Sequence, residues 1–139
     1  MTNNFAKRIA SATSMDSGLL TLRVGVGATL FVKHGLEKLT GYSTMVQHFP
    51  DPIHIGAHAS LAFALLTDGI CSILVIAGVL TRPASLLIVI NLVTAFFLVH
   101  HAAVLHNDHG ELVLLYIFAF ASLTLAGPGR WSLDARLKK

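Results

Sequence analysis

The stretch PASLLIVINLVTAFFLV, residues 83–99, decides the fold. From Leu86 to Val99 its polar residues are Asn91 and Thr94. A helix of a soluble bundle carries a polar stripe along its outer face, and two polar residues cannot make one. A membrane-barrel strand alternates apolar and polar residues, and this run does not. A helix alone satisfies its backbone hydrogen bonds inside hydrocarbon, and ~17–25 apolar residues span the core. Pro83 suits the first turn of such a helix, where its missing N–H is harmless.

Working outward, the run extends over Pro83–Leu105, and three more accompany it: Gly18–Leu39, Gly56–Leu80 and the shorter Glu111–Ala126. Gly127-Pro128-Gly129 stops the fourth. Apolar residues form 54% of the 139-residue chain and charged residues 12%, where a soluble domain carries ~25% charged residues. Mean hydropathy is +0.70. A free soluble domain and intrinsic disorder are both excluded by these values. The net charge of +3 comes from basic residues at the ends of apolar runs. That placement points to membrane topology rather than nucleic acid. The expected class is therefore all-α, an integral membrane four-helix bundle in contact with the lipid bilayer.

Residues 1–16 read as a cytoplasmic or interfacial tail rather than a cleavable signal, because Ser11–Ser17 is polar and contains Asp16. Residues 17–134 form the transmembrane domain, and 135–139 a basic tail. The lysines and arginines set the orientation. Lys7, Arg8, Arg82, Arg130, Arg136, Lys138 and Lys139 fall on one side, and Lys33 and Lys38 on the other. Both termini and the second loop are expected to face the cytoplasm. Arg82, Arg130 and Trp131 read as topology anchors. All eight histidines then lie on the outer side: His34, His48, His54 and His58 around loop one, and His100, His101, His106 and His109 around loop three.

Charges inside a membrane helix are costly and usually face the bundle interior or a wet cavity. Asp68 sits near the middle of the second run with no Lys or Arg close in sequence. Helical periodicity puts Arg23, Gly27, Leu30, His34, Glu37 and Lys38 on one face of the first helix. Arg23 or Lys38 is the expected partner of Asp68; the alternative is that Arg23 snorkels to the surface. Asn91 reads as an interhelical hydrogen-bonder, and Cys71 as a small packing residue. An intramembrane polar network of Arg23, His34, Lys38, Asp68, His100 and Glu111 follows. His101, His106, Asp108 and His109 form a second candidate group for a ligand or metal, since imidazole with carboxylate suits zinc, copper or iron. Their spacing matches no specific metal motif. Cofactors stay open on the residues alone, with a metal or haem less favoured than His34 and His100 handling protons or binding a polar ligand head.

The chain resembles the DoxX family of small four-helix bacterial membrane proteins. The resemblance rests on Leu22-Arg23, Gly27 and His34-Gly35-Leu36-Glu37-Lys38-Leu39, then Phe49-Pro50 and Gly78-Val79-Leu80-Thr81-Arg82. It ends on a histidine closing the third helix, Glu111 opening the fourth, and Gly127-Pro128-Gly129-Arg130-Trp131-Ser132-Leu133-Asp134. Family members usually carry Glu in the second helix where this chain has Asp68-Gly69, one methylene shorter. The resemblance implies an association with quinone-linked redox chemistry. The expected function is a subunit of a membrane redox assembly, itself non-catalytic or quinone-interacting, with other membrane subunits or further copies of itself as partners. The alternatives are a structural or assembly subunit without chemistry of its own, and a small oligomeric proton or metal transporter.

Overall fold

The computed structural model describes residues 2–102 and 109–137, with side chains from residue 14 onward. Four long helices follow in chain order. Helix α1 runs Thr2–Leu30, passes through a π-helical turn at Phe31–Gly35 and resumes over Leu36–Thr40. A four-residue turn of helix, Tyr42–Met45, opens loop one. Helix α2 runs Ala57–Leu65, widens at Leu66–Cys71 and continues over Ser72–Ala77. Helix α3 covers Thr81–Thr94 and ends in a third π-helical turn, Ala95–Val99; α4 covers Gly110–Ala126, and a short α5 covers Leu133–Leu137.

Ser14–Thr40, Ala57–Ala77 and Thr81–Val99 are each long and apolar enough to cross a membrane, and Gly110–Ala126 is a shorter apolar helix of 17 residues. The described chain is all-helical. Helix α1 starts at Thr2, so the backbone of the N-terminal segment continues the first span.

The interior is a column of Leu30, Cys71, Val75, Ala84, Ile88, Leu92, Tyr116, Phe120 and Leu123. Leu115, Phe118, Leu125, Phe97 and Ile70 are exposed on the outer surface. Lipid tails are as apolar as these side chains, so burial there does not drive helix association. Packing and interhelical hydrogen bonds do. Gly35 shows the close approach this requires: a Cβ there would stand 2.7 Å from the Asp68 carbonyl oxygen and 3.1 Å from Gly69 Cα.

One end of the bundle carries loop one (41–56), the end of α3 at His100 and the start of α4 at His109. The other carries the turn 78–80 and the segment 127–137. At this second end Gly78 (φ +73°) and Leu80 (φ +48°) both adopt left-handed backbone. Leucine is uncommon there, and Asp134 holds it in place. The Asp134 carboxylate accepts the Leu80 and Thr81 amides (3.1 and 3.4 Å), and its own amide donates to the Gly78 carbonyl (2.9 Å). Asp134 thereby caps α3 from the far end of the chain.

Candidate functional site

Four helices and loop one enclose a cavity of about 630 Å³ at the histidine end. This is within the ~300–1,000 Å³ usual for small-molecule sites. Its walls are largely apolar: Leu30 from α1, Phe63 and Ala64 from α2, Leu92 and Val99 from α3, Leu112, Val113 and Tyr116 from α4. Loop one closes it with Phe49, Pro50, Pro52, Ile53 and Ile55. Into this apolar lining project Lys33, His34, Lys38, Ser60, Asp68, Asn91, Thr94, His100 and His109.

The polar centre is an ion pair. Lys38 Nζ stands 2.9 Å from Asp68 Oδ2, both side chains about nine-tenths buried. Lys38 also donates weakly to the His34 carbonyl (3.4 Å). Asp68 Oδ1 accepts from Thr67 Oγ1 (3.2 Å) and Asn91 Nδ2 (3.3 Å), and Asn91 also donates to Thr67 Oγ1 (2.8 Å). A buried carboxylate requires both a counter-charge and hydrogen bonds on its remaining lone pairs, and Asp68 has them. The cluster ties α1, α2 and α3 together.

Each π-helical turn lies on the cavity wall, contributing His34, Asp68, and Ala95 with Val99 respectively. A π turn adds one residue, so the Leu36 amide reaches back five residues to Phe31 O, and His100 N to Ala95 O. Such turns are frequent at functional sites.

Depth along α1 explains one correction. Buried positions on α1 run Asp16, Arg23, Gly27, Leu30, then Gly35. The five-residue step shifts the register by one residue, so Gly35 takes the place of His34 on the face of Arg23, Gly27 and Leu30, and Lys38 follows three residues later. Arg23 lies 12 residues before Gly35, about 18 Å along the axis. Arg23 does not meet Asp68. It is 2% exposed, at the opposite end, where Nη1 donates to Pro128 O (2.7 Å) and Nη2 to Trp131 O.

Glu111 is the second correction: it opens α4 on the exposed face and is absent from the cavity lining, while its neighbours Leu112 and Val113 line it. Of the six network residues the structure gathers His34, Lys38, Asp68 and His100 at one cavity and leaves Arg23 and Glu111 out. His109 reaches the cavity from left-handed backbone at the start of α4; His101 is exposed and does not. His106 and Asp108 lie outside the described residues. Among the described residues no three His, Cys, Asp or Glu side chains stand together as a metal site.

Arg82, Arg130 and Trp131 all lie at the end away from the cavity. Arg82 Nη2 donates to Leu125 O (3.2 Å), the Arg130 amide to Asp16 Oδ1 (2.8 Å), and Trp131 is half exposed. Cys71 is buried in the core.

Three features were not read from the sequence. Thr67 completes the polar cluster, and only its adjacency to Asp68 hinted at it. Asp16 binds the segment after α4 across 114 residues of chain. Loop one forms a wall of the cavity, organised by Asp51, whose carboxylate accepts the Ile55 and Gly56 amides (3.0 and 2.8 Å) and the Ser60 hydroxyl (2.9 Å). Desolvation pushes the Asp51 pKa up, but Ser60, the Gly56 and Ile55 amides and nearby His54 outweigh it and hold it below the ordinary value of 3.8.

Fold and site together define a small multi-pass membrane protein with a largely apolar cavity at one end and a buried ion pair in its wall. Comparison with known proteins gives the family. The DoxX family model matches residues 18–101, and the chain belongs to that family. It is 31% identical to an uncharacterized membrane protein of Mycobacterium tuberculosis, over 87% of this chain and 82% of that one. It is 32% identical to an uncharacterized protein of Haemophilus influenzae, over 78% of this chain and 76% of that one. No solved structure shows a significant match.

Proposed function

We propose that the chain is a quinone-binding subunit of a redox assembly in the bacterial inner membrane. One observation carries this: a cavity of about 630 Å³ whose apolar wall is interrupted by the Lys38–Asp68–Asn91 cluster. A quinone needs an apolar slot for ring and tail and a few fixed donors for its carbonyl oxygens. Lys38, with an N–H to spare, is such a donor, and His34 and His100 line the same space. The lining residues supply binding, orientation and exchangeable protons. Electrons would pass to or from a partner subunit, so the assembly and not this chain alone would carry out the redox step.

The test is photolabelling of the membrane-reconstituted protein with an azidoquinone, followed by peptide mapping. Label on residues 30–38 and 90–99, lost on adding unlabelled quinone and in Ala95→Phe, supports the reading. Label confined to lipid-facing Leu115 and Phe118, and insensitive to competitor, contradicts it.

A further inference from the structure

The titratable groups lining the cavity are unbalanced in sign. Among the described lining residues two lysines, Lys33 and Lys38, face a single carboxylate, Asp68, while His34, His100, His109 and the Tyr116 phenol add hydrogen-bonding groups. The acceptors of Asp68 are turned to the protein: Oδ1 takes Thr67 and Asn91, and Oδ2 takes Lys38. A lysine ammonium has three N–H donors. Those of Lys38 meet Asp68 and, weakly, the His34 carbonyl, which leaves one to spare in the cavity wall. Lys33 has no acidic group within 4 Å among the described residues. The other described acids at this end stand outside the lining. Glu37 and Glu111 are exposed and outside the lining, and Asp51 is engaged by loop one.

The pocket is therefore an apolar volume whose described lining carries one more lysine than carboxylate. Low-dielectric walls strengthen the field of fixed charges inside such a space. A neutral ligand gains nothing from that field, whereas an ionised oxygen acid does. We propose that the ligand of this cavity is an amphiphile with one acidic head, bound as the anion. An alkylated hydroxyquinone and a long-chain carboxylic acid share this chemistry. The inference rests on the reading of the cavity as a ligand site, and adds the charge class of its occupant.

The experiment compares matched acid and neutral probes on the full chain in nanodiscs, with empty nanodiscs subtracted. One pair is an alkylated hydroxynaphthoquinone and its O-methyl ether; the other is hexadecanoate and its methyl ester. At neutral pH the acid of at least one pair is expected to bind roughly tenfold tighter than its neutral partner, and which pair binds separates the two sources. In the variant Lys33→Gln/His100→Gln that ratio is expected to fall severalfold. Lys33 is exposed, and His100 lies at a helix end. Gel filtration verifies that the variant is folded. Equal binding of acid and neutral partner in both pairs, or an acid preference unchanged in the double variant, overturns the proposal while leaving the cavity a ligand site. Binding of no probe above empty nanodiscs overturns both.

Discussion

Lys38 Nζ and Asp68 Oδ2 stand 2.9 Å apart across the contact of α1 with α2, and Gly35 makes that distance attainable. The glycine lets the helix backbones close at the level of Asp68. The lysine, three residues on, then reaches the carboxylate.

Removing one partner strands the other. Interhelical polar contacts in membranes average only ~0.6 kcal/mol, but an unpaired buried charge costs about 3–5 kcal/mol. Asp68→Ala is expected to lose stability on that scale. The paired change Lys38→Met/Asp68→Leu is expected to restore most of it. Denaturant unfolding in mixed micelles gives the cycle. Single and double variants equally impaired would show that the pair contributes through its shape and not its charge.

Gly35→Ala would push Cβ into backbone at 2.7 and 3.1 Å, which no side-chain rotation relieves. Helices α1 and α2 are expected to separate, with loss of the Lys38–Asp68 pair and of thermal stability. Gly25→Ala meets nothing within 4 Å and is expected to be neutral, or stabilising by up to ~1 kcal/mol through helix propensity. Melting temperatures of the two variants in one detergent make the comparison.

At the other end, Arg23→Leu leaves the Pro128 and Trp131 carbonyls without their donor. A buried acceptor left unsatisfied costs about 1–3 kcal/mol. Asp134→Ala removes the cap of α3, worth ~1 kcal/mol, and releases the strained Leu80. Both are expected to raise protease cleavage after residue 127 while ligand binding in folded protein stays within twofold. A large change in affinity in folded Arg23→Leu protein would contradict the separation of the two ends.

Loop one has an acid limit. The Asp51 pKa is depressed, so the stabilisation it gives the loop is fully present above the unfolded value near 3.8 and is lost as pH falls through the lower folded value. Deuterium labelling of the Ile55 and Gly56 amides, corrected for the intrinsic exchange rate, is expected to be slow at pH 5 and faster once the pH falls through the folded Asp51 value. Asp51→Asn is expected to make labelling fast at both. Equal labelling at pH 5 with and without Asp51→Asn would contradict this role.

The four helices were legible because hydrocarbon leaves so few choices: a run such as 83–99 has only one way to satisfy its backbone. Asp68 was legible for the same reason, since a carboxylate mid-span demands a partner. The partner was legible only as one of two. Periodicity puts Arg23 and Lys38 on one face without telling which stands at the depth of Asp68, and the π turn at 31–35 puts Gly35 in the place of His34 there by one residue that no local composition announces. Loop one as a cavity wall was not legible either, because its residues reach the cavity through the packing of all four helices. Glu111 read as part of the network because it opens a helix beside His109; its exposed side is set by α4 packing on α3.

The quinone content of the protein isolated in native-membrane nanodiscs bears most directly on the cavity as a ligand site. Wild-type protein is expected to carry a quinone above the level of the surrounding membrane, and Ala95→Phe, which sets a phenyl ring in the cavity wall, to carry markedly less. The same membrane-level content in both proteins would contradict quinone binding in this cavity.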